Sequence, residues 1–399
     1  TMLGDGRAVL MGEHVSKNNE RFDIQFKGSG KTAFSRNGDG RAALGPMLRE
    51  YIISEAMHNL GIPTTRSLAV VRTGEEVIRE TSLHGAVLTR VALSHIRVGT
   101  FQYIAARQKR DELEMLFNYV IERHYPNIKN SKKKPIDLLG IVLDNQIDLI
   151  VNWMRVGFIH GVMNTDNMSI SGETIDYGPC AFMDVYDPKT VFSSIDQMGR
   201  YAYCNQPVIG KWNLTRFAEC LIPLIDHDQK KAIEQATEII DTFEKKYEEK
   251  WLNMMRDKLG LFGVDDKDKS LILDLLTWMH QKKMDYTNTF CHLMSLENQK
   301  DKSFEDNDFQ NWKKRWQDRL KIKNNTPEKF IKLMRRVNPL VIPRNHKVEE
   351  ALNEANQGNL KPTIQFLEIL KNPYNEKKNI DEYQIPSLSN KNYKTFCGT

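Results

Sequence analysis

Residues 160–178 read His-Gly-Val-Met-Asn-Thr-Asp-Asn-Met-Ser-Ile-Ser-Gly-Glu-Thr-Ile-Asp-Tyr-Gly. Asn164, Asp166 and Asn167 crowd into four positions, and Asp176-Tyr177-Gly178 follows nine residues after Asn167. Side-chain oxygens of this kind are hard ligands for Mg²⁺ or Mn²⁺, and a carboxylate can take a proton from a hydroxyl. The same residue types also build ordinary turns. What gives the stretch weight is the order and spacing of its members.

That order matches the phosphoryl-transfer template of kinase-like enzymes. There a His is followed two positions on by a catalytic Asp, then by an Asn five residues after that Asp, then by Asp-Phe-Gly. Here His160-Gly161 opens the motif, Asn167 stands at the Asn offset, and Asp176-Tyr177-Gly178 stands for Asp-Phe-Gly. The base position holds Val162, which accepts no proton. The metal-ligand types survive while the usual base is gone, and Asp166 is the nearest carboxylate to replace it.

Upstream, Phe-Asp-Ile-Gln-Phe-Lys-Gly-Ser-Gly (22–30) alternates with period two. Phe22, Ile24 and Phe26 fall on one side and Asp23, Gln25 and Lys27 on the other, the pattern of a strand with one buried face. A helix is expected at about 45–60, with Pro46 in its first turn and Gly61 at its stop. Glu50 lies in it, 23 residues after Lys27, as a kinase-type lysine–glutamate pair requires. Further strands are expected at 68–72, 76–80 and 85–92. Two Gly-Asp-Gly-Arg turns, Gly4–Arg7 and Gly38–Arg41, offer backbone N–H groups and cations to phosphate, and Arg90 and Arg97 follow in apolar settings. Each turn alone reads better as a hairpin with arginines paired to nearby acids.

Downstream the periodicity becomes helical, at 112–125, 137–158, and in several segments after residue 212. The polar end from about 371 reads as loosely ordered. The expected fold class is α+β, a two-lobed protein-kinase-like fold. Residues 1–105 would form a β-rich nucleotide-binding lobe, and 106–399 a helical lobe carrying the loop 160–178.

Apolar residues make up 40% and charged residues 27% of the 399-residue chain, and 57 Lys+Arg against 52 Asp+Glu give a net charge of +5, ordinary for a globular protein and no argument for a polyanion-binding surface. The stretch 311–325 interleaves Trp with Lys and Arg, a pattern that suits a solvated amphipathic helix better than a nucleic-acid site. Five scattered cysteines form no Cys-x-x-Cys pair, which excludes a zinc-ribbon or disulfide-scaffold reading. No apolar run reaches the roughly 18 residues of a membrane span, and no signal peptide is expected from the opening residues. A cytoplasmic monomer is expected, with no membrane or nucleic-acid partner.

Taken together, LGDGRA (3–8), KGSGKTAFSRNGDGRA (27–42), REYIISEAMHNLGIPTTR (49–66), VLTRVALSHIRVGTFQ (87–102), GFIHGVMNTDNMSI (157–170), TIDYGPCAFMDVYDP (174–188), GRYAYCNQPVIGKWNL (199–214) and NPLVIPRNH (338–346) resemble the selenoprotein O (SelO) family along essentially the whole chain. The resemblance implies a pseudokinase fold that binds ATP reversed. Such a protein transfers AMP, or UMP, to Ser, Thr or Tyr of proteins with Mg²⁺ or Mn²⁺ and releases pyrophosphate. Carried over, Gly4, Gly6, Arg7, Lys27, Asp39, Gly40, Arg90, Arg97 and Asp176 would contact nucleotide. Glu50 would orient Lys27, Asn167 and Asp176 would hold metal, and Asp166 would be the proton acceptor. Family members carry a further N-terminal stretch with a Gly-His-Gln-Phe segment, so the small lobe is expected to be incomplete at Thr1. Cys397 stands where some members carry selenocysteine. The loop position with which it would form a redox link is Phe192 here, and Cys180 is the only cysteine in that loop. The alternatives are a catalytically weak pseudokinase serving as a nucleotide-binding scaffold, and a true protein kinase.

Overall fold

The computed structural model describes residues 6–35, 37–295, 302–322, 326–376, 380–387 and 393–396. Its N-terminal region is a small antiparallel sheet, and most of the remainder is helical. Strands β1 (Ala8–Val15), β2 (Arg21–Lys27), β3 (Arg66–Ile78) and β4 (Ser82–Ala92) lie in the order β1-β2-β4-β3, and helix α1 (Leu44–Asn59) packs on β3 and β4. The stretches 68–72 and 76–80, expected as two strands, are one. A bulge between Arg72 and Glu76 absorbs Thr73-Gly74-Glu75, with Gly74 at φ +79°, and pairing with β4 resumes beyond it.

In β2 the alternation holds, but the deeply buried face is the polar one. Asp23, Gln25 and Lys27 are 4%, 1% and 5% exposed, while Phe22, Ile24 and Phe26 are half-buried. Every polar side chain of that face has a charged or hydrogen-bonding partner: Arg123 and His95 for Asp23, Arg90 for Gln25, and two carboxylates for Lys27. Buried polar groups persist where they are paired.

The chain then enters α2 (Val98–Ala105), α3 (Arg110–His124) and α4 (Lys134–Val156). Helix α4 buries Leu138, Leu139, Val142, Leu143, Ile147 and Ile150 along one stripe and stops at Gly157 in the left-handed region. From its flank Gln146 donates to the Ser169 carbonyl (2.7 Å) and Trp153 to Thr174 Oγ1 (2.9 Å), which anchors the loop that follows. Two-residue strands β5 (Phe158–Ile159) and β6 (Ala181–Phe182) pair antiparallel and pinch the intervening segment into a closed loop, so His160 and Asp176-Tyr177-Gly178 come side by side.

After α5 (Gln206–Ile225), the apolar pattern at 229–258 resolves into α6 (Gln229–Ile240) and α7 (Phe243–Lys258), broken at Asp241-Thr242, where Thr242 Oγ1 turns back to the Ile239 carbonyl. Helices α8 (Asp268–Lys282), α9 (Tyr286–Met294), α10 (Asn307–Leu320), α11 (Pro327–Val337), α12 (Asn345–Asn356), α13 (Lys361–Leu370) and the single-turn α14 (Asp381–Gln384) complete the helical part among the described residues. Helix α10 is amphipathic, with Trp312 and Trp316 buried and their indole N–H groups donated to the carbonyls of Leu271 and Leu259. Near the C-terminal end, where loose order is expected, Thr395 is tied down. Its N–H reaches Phe192, its carbonyl accepts from Ser194, and its hydroxyl reaches Pro179. One continuous core runs from α1 through α2, α4 and α5 into the later helices. Among the described residues no helix is long and apolar enough to cross a membrane.

Candidate active site

Four side chains distant in sequence form a buried hub. Lys27 Nζ stands 2.6 Å from Glu50 Oε2 and 2.5 Å from Asp176 Oδ1. Arg90 engages the same two carboxylates, with Nε 2.8 Å from Glu50 Oε1 and NH2 2.6 Å from Asp176 Oδ1, and its third arm meets Gln25. Burial alone would raise the Asp176 carboxyl, but the charges of Lys27, Arg90 and Arg97 overcome it and hold the group well below the usual range. Glu50 is likewise kept ionised against its burial, by Arg90 and Lys27. Asp176 has a left-handed backbone, φ +64°, a conformation Asp tolerates. Its side chain keeps 18% of its surface accessible and lines the cavity described below, while the contacts to Lys27 and Arg90 both fall on Oδ1.

The loop before it is set by α5 and by its own backbone. His160 is fully buried. One ring nitrogen contacts the Ile175 carbonyl (2.9 Å) and the other accepts from the N–H of Val162, which fixes Nε2 as the protonated nitrogen. Burial depresses its pKa, so it serves as a neutral strut. Gln206 accepts from the His160 N–H, and Asn213 donates to the Met163 carbonyl (3.0 Å). Asn167 spends its amide N–H on the Val162 carbonyl (2.8 Å), leaving Oδ1 as its remaining acceptor. Arg97, 3% exposed at the start of α2, reaches the carbonyl of Asp166.

These elements wall a cavity of about 900 Å³ between the sheet and the loop 160–179. Of the residues singled out in the sequence, Gly6, Arg7, Lys27, Asp39, Gly40, Asp166, Asn167 and Asp176 line it. Val162 also faces it, in place of the usual base. Glu50, Arg90 and Arg97 lie behind the wall, at 2%, 1% and 3% exposure. Gly4 and Cys397 lie outside the described residues. The roof is the Gly38–Arg41 turn. Gly40 sits at φ +67°, and a Cβ there would meet the Gly30 carbonyl at 2.0 Å, so two glycine backbones cross where no side chain fits. Asp39 is held below its usual pKa chiefly by its bond to Arg79 (2.9 Å), and Arg41 pairs with Glu75.

The family model described as protein adenylyltransferase SelO matches residues 1–371. The chain belongs to the SelO family. Relatives named protein nucleotidyltransferase YdiU are 66% identical in Pelagibacter ubique, 56% in Clostridium perfringens and 55% in Alcanivorax borkumensis; each alignment covers all of this chain and 83%, 82% and 83% of the respective relative. SelO proteins are nucleotidyltransferases, and the cleft just described is where this SelO chain collects cations and oxygen donors.

Sequence reasoning missed Ser35, Asn37 and Arg79, which also line the SelO cavity, and gave no role to Asn164, which lines it too. Asn37 adjoins the second glycine turn and was within reach of the motif. Arg79 was not, because it arrives from the end of β3. The side-chain oxygens fit a hard divalent ion only in part. Asn167 Oδ1 and the Asp176 carboxylate offer oxygen donors of the right type, and among the described residues no cluster of three His, Cys, Asp or Glu residues could hold a metal unaided. Such a set suits Mg²⁺ or Mn²⁺ completed by phosphate oxygens and water. Cys180 is fully buried, and burial pushes its thiol up to about 12.

Proposed function

We propose that this SelO chain transfers AMP from ATP to Ser, Thr or Tyr hydroxyls of proteins and releases diphosphate. The arrangement would be kinase-like, with residues 1–105 and 106–399 as lobes on either side of the nucleotide and the protein working in the cytoplasm. One observation carries the reading. Asp166 shares a cavity with Lys27, Arg7 and Asp176, while the ordinary base position, also in the cavity wall, is Val162.

In this reading Lys27, fixed by Glu50, and Arg7 neutralise the phosphate chain. Arg90 and Arg97 act from behind by keeping Asp176 ionised. Gly6 and the Asp39-Gly40 turn let backbone approach the nucleotide. Asn167 Oδ1 and the Asp176 carboxylate would hold Mg²⁺ or Mn²⁺, which supplies charge neutralisation on the phosphoryl oxygens. The acceptor hydroxyl oxygen bonds to the α-phosphorus, the α–β bridging bond breaks with its electron pair leaving on diphosphate, and the hydroxyl proton passes to Asp166. A general base of this kind contributes about 10²–10⁴-fold.

Val162 also favours a second reading, a nucleotide-binding scaffold without turnover. Intact-mass analysis of an acceptor protein, with diphosphate release measured in parallel, separates the two. Transfer adds one adenylate per diphosphate formed; a scaffold adds nothing, and a kinase adds phosphate alone. Replacing ATP by UTP in the same assay reads the nucleotide preference.

A further inference from the structure

The segment 194–201, which leads into α5, presents apolar side chains to solvent from a firmly held backbone. The Asp196 carboxylate accepts the N–H groups of Arg200 (2.9 Å) and Tyr201 (2.8 Å), and Asn205 donates to the Gly199 carbonyl (2.7 Å). Yet Met198 is 92% and Ile195 66% exposed. Beside them α5 turns Val208 and Trp212, one helical turn apart, outward. The Trp212 ring carries two guanidinium groups, Arg200 at 4.9 Å and Arg216 at 5.4 Å. Arg216 is paired with Glu219 at 2.6 Å. Among the described residues no carboxylate pairs with Arg200.

The buried face of the same helix grips the catalytic loop through Gln206 and Asn213. Trp212 is the neighbour of Asn213, so this surface begins one residue from an anchor of the loop that carries Asp166. The helix that carries this surface therefore also holds the loop of the candidate base.

We propose that Ile195, Met198, Arg200, Val208 and Trp212 form the docking surface for the acceptor protein, and that the segment docked there carries apolar side chains beside a carboxylate. The inference rests on the protein-acceptor reading above. Rigid exposed apolar groups mark interaction surfaces. They supply the affinity, while a guanidinium on an aromatic face with no acid of its own selects the sign of the partner. A polyanion such as nucleic acid would need a row of cations, whereas here one of the two guanidiniums is already paired.

The test uses the full chain and two fluorescein-labelled peptides, read by fluorescence anisotropy. One carries a single Ser among Leu and Glu residues; in the other every Glu is replaced by Lys. The wild type should bind the Glu peptide about tenfold more tightly at low salt, an advantage that shrinks as salt rises. Arg200→Glu should invert the preference, and Met198→Ser should weaken both peptides, with ATP affinity and melting temperature at wild-type values. Equal affinity for both peptides, or an undiminished Glu preference in Arg200→Glu, overturns the proposal. Selective Glu-peptide binding with no α-phosphate label on its Ser would leave the docking surface standing and remove the transfer reading instead.

Discussion

A Cβ placed on Gly99 would stand 2.0 Å from Oδ1 of Asp166. The second residue of α2 and the candidate base therefore share one space, and the absence of a side chain at 99 is what lets the carboxylate take its position. The contact is to the end of a side chain, so an added methyl group would turn the carboxylate away without unfolding the helix.

Gly99→Ala is accordingly expected to lower the transfer rate about 10²-fold, as loss of a positioned base does. Alanine is worth about 0.5–1 kcal/mol over glycine within a helix, so the melting temperature should hold or rise. Steady-state kinetics beside a thermal melt check this. A wild-type rate in Gly99→Ala would mean that the Asp166 carboxylate is not used where it stands.

Arg90 is the hub of a buried network and not part of the cavity wall. Arg90→Met leaves Glu50 with Lys27 alone and Asp176 with Lys27 and the more distant Arg97, and removing one member of a buried charge set costs about 3–5 kcal/mol. Urea unfolding should show that loss. Lys27→Met, which also empties a position in the cavity wall, should lose ATP affinity as well.

Glu173 makes stability depend on pH. Burial raises its carboxyl from the ordinary 4.5 to about 7, against hydrogen bonds from Ser171 and from the backbone of Leu93 and Ser94, with Asp23 adding a like charge. Below pH 4.5 the proton is bound in both folded and unfolded chains, and the contribution is fully present. As pH rises through about 7, the unfolded chain has already released the proton and the folded chain must lose it in a buried site, so stability falls by about 3 kcal/mol from this group. Urea titrations between pH 5 and 8 should show a fall in the wild type that Glu173→Gln lacks. Parallel profiles would contradict this account of Glu173.

Asn167 offers one oxygen once its amide is committed to Val162. Asn167→Ala should raise the Mg²⁺ or Mn²⁺ concentration for half-maximal transfer by about tenfold or more, with the fold retained. A metal titration of the rate measures it, and an unchanged midpoint would remove Asn167 from the ligand set.

Much of this site was legible in local pattern. Period-two alternation placed Lys27 at a strand end, helical spacing placed Glu50, and motif offsets singled out Asp166, Asn167 and Asp176. Alternation does not say which face is buried, however. In β2 it is the polar one, because partners from β4, α1 and α3 arrive from elsewhere in the chain. The burial of Arg90 was hidden for the same reason. Two-residue strands such as β5 and β6 leave no periodic trace, and the contact of Gly99 with Asp166 joins positions 67 apart that only the packing of α2 against the loop brings together. The sequence resemblance supplied roles, and the structure supplies the arrangement in which those roles can be tested.

The most direct test of AMP transfer is incubation of the full chain and an acceptor protein with Mg²⁺ or Mn²⁺ and with ATP labelled either at the α- or at the γ-phosphate. The expected result is label on protein from α-labelled ATP only, lost in Asp166→Asn and in Asp176→Ala. Label from γ-labelled ATP, or α-label undiminished in both variants, would contradict it.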